Sequence, residues 1–230
     1  MDIIVKNSIT PVHSFDLWGT LVIQETLGPR VLSAYDGLMQ GRESPEKIAE
    51  NIRNYNGVLR GDKKALGNKK EYVNSIEDPL WEAYAQNKVN VNFEGALYQD
   101  ALDVMNGIAE AGEGLTILTT GNSPWVRQAI MSLNPLIAER LRKVYSGNKA
   151  EAQAYESAAL DIIANGGQMV SHTEDQLKGL AGILQSDLKD SIRLIYVERA
   201  NLSTPEEVMA KGIEHYVRDL RDVKYVGVSK

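Results

Sequence analysis

Asp16 is the residue of this chain most suggestive of covalent chemistry. It sits in His13-Ser14-Phe15-Asp16-Leu17-Trp18-Gly19-Thr20-Leu21-Val22, where a carboxylate follows an apolar run and precedes a glycine-containing turn. A carboxylate so placed can attack a phosphoryl or carbon centre and form a covalent intermediate. A divalent cation can offset the repulsion between it and an anionic substrate. The same Asp-x-x-Gly pattern also caps ordinary loops, so residue type alone leaves both readings open. Two other polar groups follow strand-like runs: Thr119 after Leu115-Thr116-Ile117-Leu118, and the segment Ser171-His172-Thr173-Glu174-Asp175 after Gln168-Met169-Val170.

These groups can meet only if the elements beneath them are parallel strands. After about residue 100 strand-like and helical stretches alternate: a helix over 97–110, strands at 115–118 and 143–145, a helix over 150–163, a strand at 168–171, a helix over 175–184 and a strand at 192–197. Ser123-Pro124 offers a further helix start. Alternation of this kind predicts an α/β fold, a three-layer Rossmann-like parallel sheet covered on both faces. Ligands of such sheets sit beyond the carboxyl ends of the strands, so Asp16, Thr119 and residues 171–175 are expected at one rim.

Residues 24–100 have a different texture, almost wholly helical, with candidates over 29–40, 45–59 and 70–86. An insert of about 75 residues is too long for a connection and reads as a lid over the rim. The expected division is a core of residues 1–22 and 100–230 and a helical cap of residues 23–99. Lys63-Lys64 and Lys69-Lys70, broken up by Gly61, Gly67 and Asn68, read as a solvated loop. His13 and His215 read as structural, His172 as a hydrogen-bonded loop histidine or a base, and Trp81 and Trp125 as packing.

Composition narrows the classes. The chain has 230 residues, 43% hydrophobic and 24% charged, with 25 Lys+Arg against 31 Asp+Glu, a net charge of −6. The scattered basic residues and acidic balance argue against a nucleic-acid partner. With no cysteine, neither a disulfide framework nor a thiolate metal site is available, and a reducing, cytoplasmic setting is expected. No apolar stretch approaches the ~20 residues of a membrane helix, and the first residues lack the character of a secretory or transit signal, so a soluble protein is expected.

The run Phe15-Asp16-Leu17-Trp18-Gly19-Thr20-Leu21-Val22 resembles the first motif of the haloacid dehalogenase superfamily. In chain order, Gly114-Leu115-Thr116-Ile117-Leu118-Thr119-Thr120-Gly121-Asn122 resembles its second motif and Lys149-Ala150-Glu151-Ala152-Gln153-Ala154-Tyr155-Glu156 its third. Residues 169–181 stand in the place of the fourth, and the insert in that of the first cap. The resemblance covers residues 12–225. It implies that Asp16 is the nucleophile and a metal ligand, that the backbone carbonyl of Trp18 is a second ligand, and that Glu174 or Asp175 completes a magnesium site. Thr119 and the backbone amide of Thr120 would hold the transferring group, and Lys149 would neutralise charge on nucleophile and substrate.

The departures bear on activity. Phosphatases of that superfamily carry a second Asp two residues after the nucleophile, as general acid and base; here Trp18 occupies the place, and indole has no proton to exchange near neutral pH. Its dehalogenases have an aromatic residue there, attack carbon and need no metal. The fourth motif shows Ser171-His172 where the phosphatases have Gly-Asp. Three functions are therefore expected in order: a phosphatase acting on a small phosphorylated metabolite through an aspartyl-phosphate; a non-catalytic binding protein that keeps the fold; and a dehalogenase-like hydrolase.

Overall fold

The computed structural model describes residues 9–60, 62–120, 130, 134–200 and 202–227, Lys70 by its backbone alone. Six strands form one sheet: β1 (Thr10–Phe15), β2 (Gly114–Thr119), β3 (Leu141–Ser146), β4 (Gly167–Glu174), β5 (Arg193–Val197) and β6 (His215–Val217). Their order is β3-β2-β1-β4-β5-β6, and every pairing is parallel. Phe15 lies opposite Ile117 of β2 and Thr173 of β4, so three carboxyl ends finish nearly level. All six residues of β2 are buried, as expected of a strand covered on both faces.

β4 extends three residues beyond the 168–171 expected from sequence. Ser171, His172 and Thr173 are polar yet lie inside the sheet, because each finds a buried partner. Ser171 Oγ is hydrogen-bonded to His13 Nδ1 (2.8 Å), whose Nε2 reaches Glu113 (2.7 Å). His172 Nδ1 is bonded to Ser14 Oγ (3.0 Å) and Nε2 to the Tyr155 hydroxyl (3.3 Å), and Thr173 Oγ1 pairs with the Tyr225 hydroxyl (3.0 Å). Satisfied groups of this kind can sit in a core without the penalty of an unmade bond. His172 is thus a strand residue away from the rim, not a loop residue on it.

Between β1 and α5 (Gln99–Glu110) lie α1 (Gln24–Met39), α2 (Pro45–Leu59), α3 (Lys63–Gly67) and α4 (Lys69–Ala85). Ser44 accepts a hydrogen bond from Lys47 N and Pro45 takes the first helical position, so α2 begins where its sequence directs. α1 begins five residues before the expected start and carries Pro29 within it. Of the lysines read as loop, Lys63 and Lys64 in α3 and Lys69 opening α4 are exposed but helical. α6 (Pro135–Arg140), α7 (Ala152–Ala164), α8 (Ala181–Gln185) and α9 (Pro205–Met209) complete the helices, with a 3-10 turn at Leu220–Asp222. The helix expected over 175–184 is mostly turn, with only α8 helical; Ser123-Pro124 and Trp125 lie outside the described residues.

One apolar cluster joins a face of the sheet to the insert. Phe15, Leu115 and Ile117 pack with Met105 and Ile108 of α5, and the same cluster continues through Leu21 and Leu27 to Tyr35, Ile76, Leu80 and Trp81. The opposite face packs Val12, Leu118, Met169 and Tyr196 against Tyr155, Ala158 and Ile162 of α7. Each such side chain contributes roughly 1.5–3 kcal/mol by leaving water. The two chain passages into the insert are tied together: Val22 bridges Leu97, Ile23 N donates to Ala96 O (2.8 Å), and Tyr98 N donates to Leu21 O (3.0 Å). No helix among the described residues is long and apolar enough to cross a membrane.

Candidate active site

Asp16 follows β1 directly, and its backbone N–H donates to Thr173 O (2.8 Å), which ties the end of β1 to β4. The chain then turns on itself, with Leu21 N and Val22 N both donating to Leu17 O (3.0 and 2.9 Å). Gly19 makes the turn possible twice over. Its φ of +84° is a region that side-chain-bearing residues avoid, and a Cβ there would run into the Asp175 carboxylate. Thr20 Oγ1 donates to Asp175 Oδ1 (3.2 Å), so the turn after β1 carries the carboxylate that follows β4.

Lys149 comes from the turn after β3. Gly182 N donates to its carbonyl (3.0 Å), and Gly182 fits against that backbone only because it lacks a side chain. The buried Lys149 ammonium donates to Asp16 Oδ1 and to Glu174 Oε2. Glu174, the last residue of β4, accepts at its other oxygen from the backbone N–H groups of Asp175 (3.1 Å) and Gln176 (3.2 Å). Ligand oxygens of Asp16, Glu174 and Asp175 lie within 4.8 Å of one another, and all three residues are buried.

One ammonium among three carboxylates leaves negative charge in excess, and the ionisations reflect it. Burial pushes the Asp16 carboxyl up from 3.8 to about 6, against the opposing pull of Lys149. Glu174 is pushed well above the usual carboxylate range, by burial first and then by the charge of Asp16. For Lys149, burial disfavours the ammonium, but the two carboxylates outweigh it and hold the group charged beyond the ordinary lysine range. An all-oxygen set of this kind suits a hard divalent cation such as magnesium, so the residues present fit the group.

Of the sequence-predicted residues, Asp16, Lys149, Glu174 and Asp175 come together. Thr119 ends β2 at the same rim and is buried, its carbonyl accepting from Gly147 N (3.0 Å); Thr120 beside it is exposed. Trp18 is half-buried in the Asp16 turn. Sequence reasoning missed Thr20, although it stood in the quoted motif, and the Asp100–Arg199 pair (2.9 Å) beneath the turn. Asp100 also accepts from Leu220 N (2.8 Å), while the Arg199 guanidinium lies 4.1 Å from the centre of the Tyr98 ring. Only separation in the chain hid that pair.

No protein-family profile matches the sequence, and comparison with curated proteins finds no match. Solved structures do match. A haloacid dehalogenase-like family hydrolase of Streptococcus pneumoniae aligns with a TM-score of 0.52 at 16% identity, over 93% of this chain and 96% of that one. A haloacid dehalogenase-type phosphatase of Thermococcus onnurineus aligns with 0.52 at 17%, over 92% and 95%. The Bacillus subtilis protein YfnB, solved bound to magnesium, aligns with 0.52 at 15%, over 94% and 97%. The chain has the haloacid dehalogenase-like fold.

Proposed function

We propose that this chain, built on the haloacid dehalogenase-like fold, is a phosphohydrolase acting on a small phosphorylated metabolite, with residues 23–99 as a helical cap over the core of 1–22 and 100–230. The observation that carries the reading is the meeting of Asp16, Lys149, Glu174 and Asp175 at one rim. Folding alone gives no reason to bury three carboxylates around one ammonium, since desolvation costs more than well-packed apolar residues would.

In this reading an Asp16 oxygen attacks phosphorus in line, the bond to the leaving oxygen breaks, and water then hydrolyses the aspartyl-phosphate. A carboxyl near pKa 6 is mostly ionised at neutral pH and so available as nucleophile. Lys149 offsets charge on Asp16 and on the incoming phosphoryl oxygens, while Thr119 and the amide of Thr120 orient those oxygens. Magnesium, held by the carboxylates of Asp16, Glu174 and Asp175 and the carbonyl of Trp18, would draw the anionic group towards the nucleophile. A cytoplasmic setting accords with the absence of cysteine.

The test is phosphate release from p-nitrophenyl phosphate with added magnesium, which Asp16→Asn should abolish. Release surviving that substitution would refute the assignment. Trp18 favours a second reading, a protein that binds a phosphorylated ligand without turning it over; binding of a phosphonate with no release from any phosphate ester would select it. The acidic cluster weighs against the metal-free carbon chemistry of a dehalogenase.

A further inference from the structure

The pairing of β1 with β4 is irregular shortly before it reaches the acidic cluster. Val12 lies opposite Met169 but His13 lies opposite Ser171, so β4 carries one extra residue, Val170, against β1. Strands that pair beyond such a bulge need something to fix their register, because a slip of one residue turns every side chain to the other face. Here a slip of β4 would take the Glu174 carboxylate off the Lys149 ammonium. The pairs beyond the bulge are His13 with Ser171, Ser14 with His172 and Phe15 with Thr173, and the last of them stands directly before Asp16 and Glu174.

One residue from a distant segment spans those pairs. Tyr225, which follows the 3-10 turn at Leu220–Asp222, is 4% exposed. Its ring stacks on Phe15 (centroids 5.7 Å apart, planes at 29°) and meets the His13 ring edge-on (5.7 Å, 73°). Its hydroxyl is paired with Thr173 Oγ1 at 3.0 Å. Two residues on, Gly227 N donates to Glu113 Oε1 (3.2 Å), while the other oxygen of Glu113 holds His13. Packing alone would be served by phenylalanine; the hydroxyl adds a bond to one strand from a ring seated on the other. Thr173 is thereby gripped twice, at its side chain by Tyr225 and at its carbonyl by the Asp16 N–H (2.8 Å). We propose that Tyr225 is a positioning residue: by joining Phe15 to Thr173 it sets the spacing of the Asp16 and Glu174 carboxylates, and so the affinity of the site for a divalent cation. The inference rests on the reading of the rim as a magnesium site and deepens it.

Titration of the full chain with magnesium, read by isothermal calorimetry without substrate and set beside the melting temperature, tests the role. Tyr225→Phe keeps the ring and loses the hydroxyl, whereas Thr173→Val keeps the shape and loses the partner. Each should bind magnesium about three- to tenfold more weakly, the scale of one hydrogen bond, and the double variant should bind no more weakly than either single one. Thr173→Ser, which retains a hydroxyl, should match the wild type. Val208→Ala, in the cluster on the opposite face of the sheet, should lower the melting temperature and leave the affinity unchanged. Unchanged affinity in Tyr225→Phe and Thr173→Val, losses that simply add in the double variant, or an equal loss in Val208→Ala would overturn the positioning role while leaving the magnesium site intact. If the wild type takes up no magnesium, the metal site of the phosphohydrolase reading falls and the role with it.

Discussion

Replacing Lys149 by Met tests the electrostatic core of the site without reference to any substrate. The side chain is 6% exposed, and its partners Asp16 and Glu174 are 7% and 2% exposed. Two carboxylate charges within 4.8 Å repel by roughly 3.5 kcal/mol at an effective dielectric of 20. Removing one partner of a buried pair costs about 3–5 kcal/mol. For a chain of this length each kcal/mol moves the melting temperature by about 2–4 °C, so Lys149→Met should melt roughly 6–20 °C lower at pH 7.5 in the presence of EDTA.

The penalty should also depend on pH, with a defined sign. Asp16 and Glu174 have folded-state pKa values above their unfolded ones. Each therefore contributes stability that is full below the unfolded value and lost as pH rises through the folded value, which for Asp16 is about 6. Loss of the ammonium raises both further, so the variant should recover much of its deficit between pH 7.5 and pH 5. Titration of His13 is common to both proteins, whereas His172, lowered by burial first and then by the charge of Lys149, is partly relieved in the variant and shifts the difference in the same direction on acidification. Denaturant unfolding at the two pH values measures it. A deficit under about 1 kcal/mol, or one equal at both pH values, would refute the claim that Lys149 holds the carboxylates together.

Two further outcomes follow from single residues. Trp18→Asp should raise turnover of alkyl phosphates by about 10²–10⁴, because it restores a proton donor near the leaving oxygen, while aryl phosphates should gain less; steady-state kinetics on both classes would show an equal or absent gain if Trp18 is not what limits the reaction. His172 is held well below the ordinary histidine pKa by burial and then by the charge of Lys149, so its contribution to stability is present above about 6.5 and is lost on acidification. His172→Gln should therefore lose less stability than the wild type between pH 7 and pH 5 in denaturant melts, and a steeper loss would contradict the burial argument.

The central strands and Asp16 were legible because an apolar run that stops at a charge has few other meanings in an alternating chain. The end of β4 was not. Ser171, His172 and Thr173 look like loop residues one by one, and only partners far away in sequence, among them His13, Ser14, Tyr155 and Tyr225, make them tolerable inside a sheet. That misplacement also drew attention to His172 and away from the pairing of Glu174 with Lys149. The segment after Asp175 reads as helix by its apolar spacing. It turns instead ahead of α8, where Gly179 must lie against the Glu174 carboxylate, an approach that leaves no space for a Cβ. The opposite error concerned Lys63 and Lys64, where Gly61 and Gly67 suggested coil but the second glycine merely ends a one-turn helix. Convergence of side chains from three distant segments is a property of strand order, which no local pattern encodes.

The apolar cluster that runs without a break from Phe15 on β1 to Trp81 in the insert has a consequence for how this protein could diversify. A helical insert that shares its timbers with the floor cannot be exchanged as a module: excising α1–α4 would strip the cover from Phe15 and Leu21 and leave an oily face open to water. On the phosphohydrolase reading, changes of specificity would be channelled into the exposed side chains beside the acidic cluster, which can be altered without disturbing the shared framework below.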